Sequence, residues 1–420
     1  MSTSTSRQKS AVAEPSRGGV GNMLSAGMSW PFRRVLTRLL DGVSCGSLTV
    51  QLPDGRVVEG RGASPGPHAT IVLRNWGVLG RLLLQGDIGL AEGYRDGDWT
   101  TPDLTAVLKF GGLNEAGWGA SLEASWPVRL MTRAWHLTRP NTRRGSRQNI
   151  SFHYDMGNDF YAQWLDPQMI YSSALYRDAG DTLEQAQAAK LDRILELLDL
   201  REGAKVLEIG CGWGALALAM ARRNNADVTG LTLSKEQLSH ARGCVAEAGL
   251  ESRIDLRLQD YRDADGQYDA VVSIEMLEAV GERYWPVYFD TLRKRMRDGG
   301  RAVVQVITIA DEHFDHYRAG TDFIQRFIFP GGMLPSVSVM REHAAAAGLT
   351  MSVAESFGPS YAATLVEWRR RFMDAWPEVE ALGFDMRFRR LWEYYLCYCE
   401  AGFITGRVDV GLYTFERSDR

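Results

Sequence analysis

The chain has 420 residues with 45% hydrophobic content, enough for substantial cores and more than one domain. Its 48 Lys and Arg against 52 Asp and Glu leave a net charge of -4, which excludes a uniformly basic nucleic-acid coat and a strongly acidic solvating chain. Five cysteines at irregular spacing (45, 211, 244, 397 and 399) suit a reducing compartment, and no paired CxxC motifs point to a metal. No run approaches the ~18 apolar residues of a membrane-spanning helix.

Residues 1–30, rich in Ser, Thr, Arg and Gly, read as a disordered leader. GSLTVQLPDGRVV (46–58) predicts a β-hairpin around Pro-Asp-Gly, and ATIVLRN (69–75) a further strand before a helical stretch. With a Trp-rich helix around Trp118–Trp135, these give a small α+β domain over 31–128. A segment over 129–150 follows, with six arginines (129, 133, 139, 143, 144, 147) and no acid between Arg129 and Arg147. It reads either as a solvated linker or as a contact with an anionic lipid surface, where each basic residue contributes about 1 kcal/mol. Over 151–420, strands KVLEIG (205–210), DVTGLT (227–232), RIDLRLQD, YDAVVSIEM and RAVVQVITI alternate with amphipathic helices. That alternation predicts an α/β fold, a doubly wound parallel sheet with ligands beyond the carboxyl ends of its strands.

Glu208-Ile-Gly-Cys-Gly-Trp-Gly214 lies between a strand and a helix. Gly210, Gly212 and Gly214 allow a tight turn and close backbone approach, and the helix start offers free N–H groups. The E-x-G-x-G-x-G spacing resembles the S-adenosylmethionine (SAM) loop of class I methyltransferases, which implies their Rossmann-like sheet. Thr232, Ser234 and Gln237 stand where such folds contact the ribose, although Ser234 and Gln237 also read as a capping box. Asp260 and Tyr261 stand where the adenine is read.

Further stretches carry a narrower resemblance: FHYDMGNDFY (152–161), MIYSSA (169–174), MLEAVG (276–281), FIFPGGMLPS (327–336), YAATL from Tyr361 and YYLCYCEAGF (394–403). In order, they resemble the cyclopropane-fatty-acyl-phospholipid synthases, and the α+β domain resembles that family's N-terminal module. The resemblance implies methyl transfer from SAM to a cis double bond of a phospholipid acyl chain, with loss of a proton closing a cyclopropane. It places Tyr171 and Ser172 at the cofactor and suggests a homodimer with no nucleic-acid partner. It also implies a cytoplasmic enzyme peripherally bound to the inner face of the membrane. The family's base is a bicarbonate held by a cysteine, a glutamate, a histidine, a backbone group and a tyrosine. These fall on Ser173, Glu278, Ile307, Ile309 and Tyr361, so the cysteine and the histidine are missing. Isoleucine cannot donate to an anion, which puts bicarbonate in doubt and opens a methyl-branched or methylene product as an alternative. A non-catalytic lipid-binding protein on the same scaffold is the rival reading.

Cys399 matches a cysteine near the family's active site, with core packing as the plainer reading. Glu275 and Glu278 are three apart, and Glu278, in the more apolar run, is expected to be the one whose change to Gln costs more activity. Nine aromatics of the C-terminal third (Phe372 to Phe403) are candidates for an acyl channel, with only a minority expected to line it.

Overall fold

A computed structural model describes residues 30–118 and 156–418. The arginine-rich segment, the helix expected beyond Trp118 and all of the leader except Trp30 lie outside the described residues.

Helix α1 (Trp30–Asp41) precedes the expected hairpin, β1 (Cys45–Gln51) with β2 (Val57–Arg61). Gly55, at φ 85°, turns the chain, and the Asp54 carboxylate accepts from the Arg56 N–H at 3.1 Å. Strand β3 (Ser64–Leu73) pairs in parallel with β1, and β4 (Trp99–Thr100) completes a sheet ordered β2-β1-β3-β4. Between β3 and β4 run α2 (Gly77–Gln85) and α3 (Asp87–Asp96), and α4 (Leu104–Trp118) closes the layer. Fully buried Asn114 clips α4 to the sheet: its Oδ1 accepts from the Ser44 and Cys45 N–H groups at 2.7 and 2.9 Å.

The second sheet holds β5 (Lys205–Ile209), β6 (Asp227–Thr232), β7 (Ile254–Leu258), β8 (Tyr268–Ile274) and β9 (Met296–Ile309), mutually parallel. Two strands unforeseen in the sequence, β10 (Leu349–Ser356) and β11 (Val408–Arg417), add to it antiparallel, so the sheet is mixed rather than parallel. The order β10-β11-β9-β8-β5-β6-β7 reverses direction at β5, where open α/β sheets bind ligands. The strands from β5 to β9 carry buried Val, Leu and Ile runs because helices cover both faces.

A long helix, Met386–Ile404, capped by Asp385 accepting from the Phe388 N–H at 2.8 Å, joins the two layers. Tyr94 donates to Glu393 and Thr105 to Glu400, each at 2.9 Å, and Arg387 pairs with Asp96 at 2.6 Å. The N-terminal layer is thereby fixed against the catalytic sheet, where it walls part of one cavity. Among the described residues no helix is long and apolar enough to cross a membrane.

Candidate active site

A cavity of about 970 Å³ opens beyond the carboxyl ends of β5, β6, β8 and β9. That is the upper end of the ~300–1,000 Å³ typical of ligand sites. At its sheet end lie Gly210, Gly212, Thr232, Gln237 and Tyr261. Gly210, Gly212 and Gly214 all have positive φ (85°, 52° and 93°), and a Cβ on Gly214 would stand 3.1 Å from the Ala241 Cβ. Only glycines make this turn without strain.

Thr232 donates to the Gln237 Oε1 at 2.9 Å, and Ser234 caps its helix by accepting from the Gln237 N–H at 3.2 Å. The cap forms, but Thr232 rather than the Ser234 backbone occupies the Gln237 side chain, so the expected reciprocal box is absent. Asp260 is buried against Arg262 at 2.5 Å, the Arg262 guanidinium also lying over the Tyr261 ring. Glu208 is buried with its Oε2 unpartnered among the described residues, and desolvation pushes its carboxyl up to about 8. A glycine turn open to a ligand, a ribose-height hydroxyl–amide pair and an orphaned carboxylate fit SAM, whose sulfonium and amino groups are cationic.

Further along the same cavity the carboxylates converge. Glu275 ends β8 at φ 48°, a left-handed conformation costing a non-glycine residue roughly 1 kcal/mol or more. Its Oε1 accepts from the Ser173 N–H at 2.9 Å and from the Gln305 Nε2 at 2.7 Å, and its Oε2 from the Tyr361 hydroxyl at 2.7 Å. Glu278 accepts from the Ile307 N–H at 2.5 Å through Oε1, and its Oε2 has no partner among the described residues. Desolvation, then the charge of Glu275, pushes Glu278 up to about 8. Burial also raises Glu275, but three donors and the nearby Lys190 oppose that shift. On balance Glu275 is still raised, but its three donors favour the ionised form in a way that the single donor of Glu278 does not, so the geometry makes 275 the carboxylate of the pair and leaves 278 a neutral acid.

Several expectations change here. Glu278 is not set apart from Glu275 by burial: both glutamates face the cavity, and Glu275 is the better held. The Ser173 hydroxyl donates to the Ala174 carbonyl at 2.9 Å, away from the cavity, while its backbone N–H serves Glu275. The Ile309 amide is not a free donor, because it is bonded to the Pro335 carbonyl at 3.0 Å. Burial drives the Cys399 thiol far up, so it lines the cavity as a neutral group rather than a nucleophile. Ser172 accepts from fully buried Lys190 at 2.7 Å, underneath the segment that carries Tyr171 into the cavity. With Ser173, Tyr361 and Ile309 engaged and Ile307 apolar, the residues present do not fit a bound bicarbonate.

Gln305 and Lys190 were not singled out from the sequence, although Gln305 is a polar residue inside the apolar run RAVVQVITI. Four of the nine C-terminal aromatics, Tyr394, Tyr395, Tyr398 and Phe403, line the cavity. Phe372, Phe384, Phe388 and Trp392 instead cluster around Phe160.

The family model described as mycolic acid cyclopropane synthetase matches residues 141–412. The chain belongs to that family. It is 38% identical over 429 residues to a tuberculostearic acid methyltransferase of Mycobacterium tuberculosis, covering 97% of this chain and 95% of that one. It is 35% identical over 350 residues to the cyclopropane-fatty-acyl-phospholipid synthase of Escherichia coli, covering 83% and 88%. The crystal structure of a mycolic acid cyclopropane synthase, CmaA1, complexed with SAH and CTAB superposes with a TM-score of 0.61 at 31% identity, over 64% of this chain and 98% of that one. Like other members of the cyclopropane synthetase family, this protein is a SAM-dependent methyltransferase of lipid chains with the class I fold.

Proposed function

We propose that the protein transfers a methyl group from SAM to a double bond of an unsaturated phospholipid acyl chain, with a proton then lost from the transferred carbon. SAM supplies the electrophilic methyl. The chain's own residues do the rest. Gly210 and Gly212 admit the cofactor, and Thr232, Gln237 and Tyr261 receive its nucleoside end. Tyr171, bonded to Tyr395 at 2.8 Å, and Tyr361 present aromatic faces to the carbocation left on the alkene. One carboxylate of the Glu275 and Glu278 pair stands ready for the proton.

The observation that carries this reading is the continuity of one cavity from the glycine turn, past the carboxylate pair, to apolar walls on the N-terminal helices: Leu82, Ile88, Val107, Leu108 and Leu113. A small polar substrate would leave those walls without a purpose. Phospholipid vesicles containing oleoyl chains, incubated with methyl-labelled SAM, should carry the label in the acyl fraction; label confined to the headgroup would refute the proposal. A methyl-branched or methylene product is the second reading, favoured by Ser173 and Ile307. We further propose that the protein works as a homodimer at an anionic membrane surface, on the cytoplasmic side.

Gly111 lies in α4 against the cavity, and a Cβ there would meet nothing within 4 Å. Gly111→Leu should therefore fold well, with helix propensity improved by about 1 kcal/mol. It should also lower turnover of long acyl chains several-fold more than of short ones, a ratio measurable with phospholipids of graded chain length.

A further inference from the structure

The family resemblance implies an anion-binding set at Ser173, Tyr361 and the backbone of β9, and the structure fills that set from within. We infer that the Glu275 carboxylate is the base that accepts the proton from the transferred carbon, and that this enzyme works without bicarbonate. The inference rests on the proposed acyl-chain reaction.

Three observations carry it. Of the groups expected to hold an external anion, the Tyr361 hydroxyl donates to Glu275, and at Ser173 the backbone N–H does so while the hydroxyl is spent on the Ala174 carbonyl. Gln305 turns its amide N–H to the same carboxylate, although its own carbonyl oxygen then has no partner among the described residues. A neutral carboxyl group would reward that orientation far less than an anion does. Finally, Glu275 occupies a left-handed backbone position suited to glycine, at the mouth of the strand that faces the cavity. The strain brings a carboxylate where a glycine would bring none.

The step balances within the site. Methyl transfer leaves a carbocation on the acyl chain. One C–H bond of the transferred carbon then breaks, and its electron pair remains with the chain to close the third ring bond. The proton passes to Glu275, which becomes a carboxylic acid and later releases the proton to water. No oxidant or reductant is required. Tyr361 and Gln305 are positioning residues that hold the carboxylate. Lys190, buried beneath the Tyr171–Ala174 segment and bonded to Ser172, fixes the strand of backbone from which the Ser173 N–H donates.

The test is acyl-product formation by the full-length enzyme in buffer freed of CO2 and bicarbonate, then with bicarbonate or formate restored. Wild-type turnover should change less than about twofold, whereas loss of a positioned base should slow Glu275→Gly by about 10²–10⁴-fold. Glycine suits the backbone there and leaves a carboxylate-sized gap, so formate or bicarbonate should accelerate the variant by about tenfold or more. SAH binding by calorimetry verifies its folding; if it binds none, the wild-type arm together with Glu275→Gln decides. The inference is overturned if the wild type depends on added bicarbonate. It is equally overturned if a folded Glu275→Gly keeps the wild-type rate without either anion, or gains nothing from both. A wild type that forms no acyl product from unsaturated phospholipid refutes the proposed function, and this inference with it.

Discussion

Glu275→Gln is expected to reduce turnover by about 10²–10⁴-fold while leaving SAH affinity within a few-fold of wild type. The amide oxygen can still accept from the Ser173 N–H and Gln305, and the amide NH2 can donate to the Tyr361 hydroxyl, so the backbone is held, but the amide can take no proton at the reacting carbon. Glu278→Gln should be much milder, because Glu278 is a neutral acid already and an amide oxygen still accepts from the Ile307 N–H. This ordering reverses the one expected from the sequence. The same pair shapes the pH profile: with Glu278 pushed up to about 8, it is protonated at neutral pH and gains a charge beside Glu275 as pH rises through about 8. That second charge strengthens Glu275 as a base and favours the cation on the acyl chain, so turnover should rise in that range, and Glu278→Gln should abolish the rise. A fall instead, unchanged in Glu278→Gln, assigns the transition to Lys190, which burial lowers to about 8 and whose charge supports Glu275. Kinetic profiles of the wild type and both variants decide between them. Equal losses in the two glutamine variants would remove the division of roles.

Gly214→Val is expected to weaken SAH binding by at least ~100-fold. Valine is β-branched and disfavoured at φ 93°, and its Cβ would press on Ala241 at 3.1 Å. Strain and displacement together cost about 3 kcal/mol, which corresponds to a factor of ~10² in affinity. The helix that starts at Ala215 must shift, and with it the N–H groups facing the cofactor. Calorimetry with SAH measures the loss, and an unchanged affinity would show that this turn does not form the cofactor site.

The features legible in the sequence were local. Strand–helix alternation from Lys205 to Ile309 and the glycine turn are both written in short windows, where periodicity and backbone freedom decide the outcome. The last two strands were missed because neither carries the continuous apolar run of the buried strands: β10 (LTMSVAES) lies at the sheet edge with exposed polar positions, and Asp409, Gly411 and Thr414 interrupt β11. Glu275 was undervalued for another reason. Its partners Ser173 and Tyr361 lie 102 and 86 residues away, and nothing in SIEMLEAV announces a left-handed residue. The cavity wall from the N-terminal helices is nonlocal too: Leu108 and Gly111 meet the catalytic layer only because the Met386–Ile404 helix draws the two together. Cys399 shows the converse, a residue picked out by its motif that burial renders unreactive.

The most direct test of the account uses SAM with a fully deuterated methyl group and a defined oleoyl phospholipid, with mass spectrometry of the released acyl chains. The account predicts an acyl product that has gained the labelled carbon and lost one of its deuteriums to the enzyme's base. Label recovered only in the headgroup, or an acyl product that retains all three deuteriums, would contradict it.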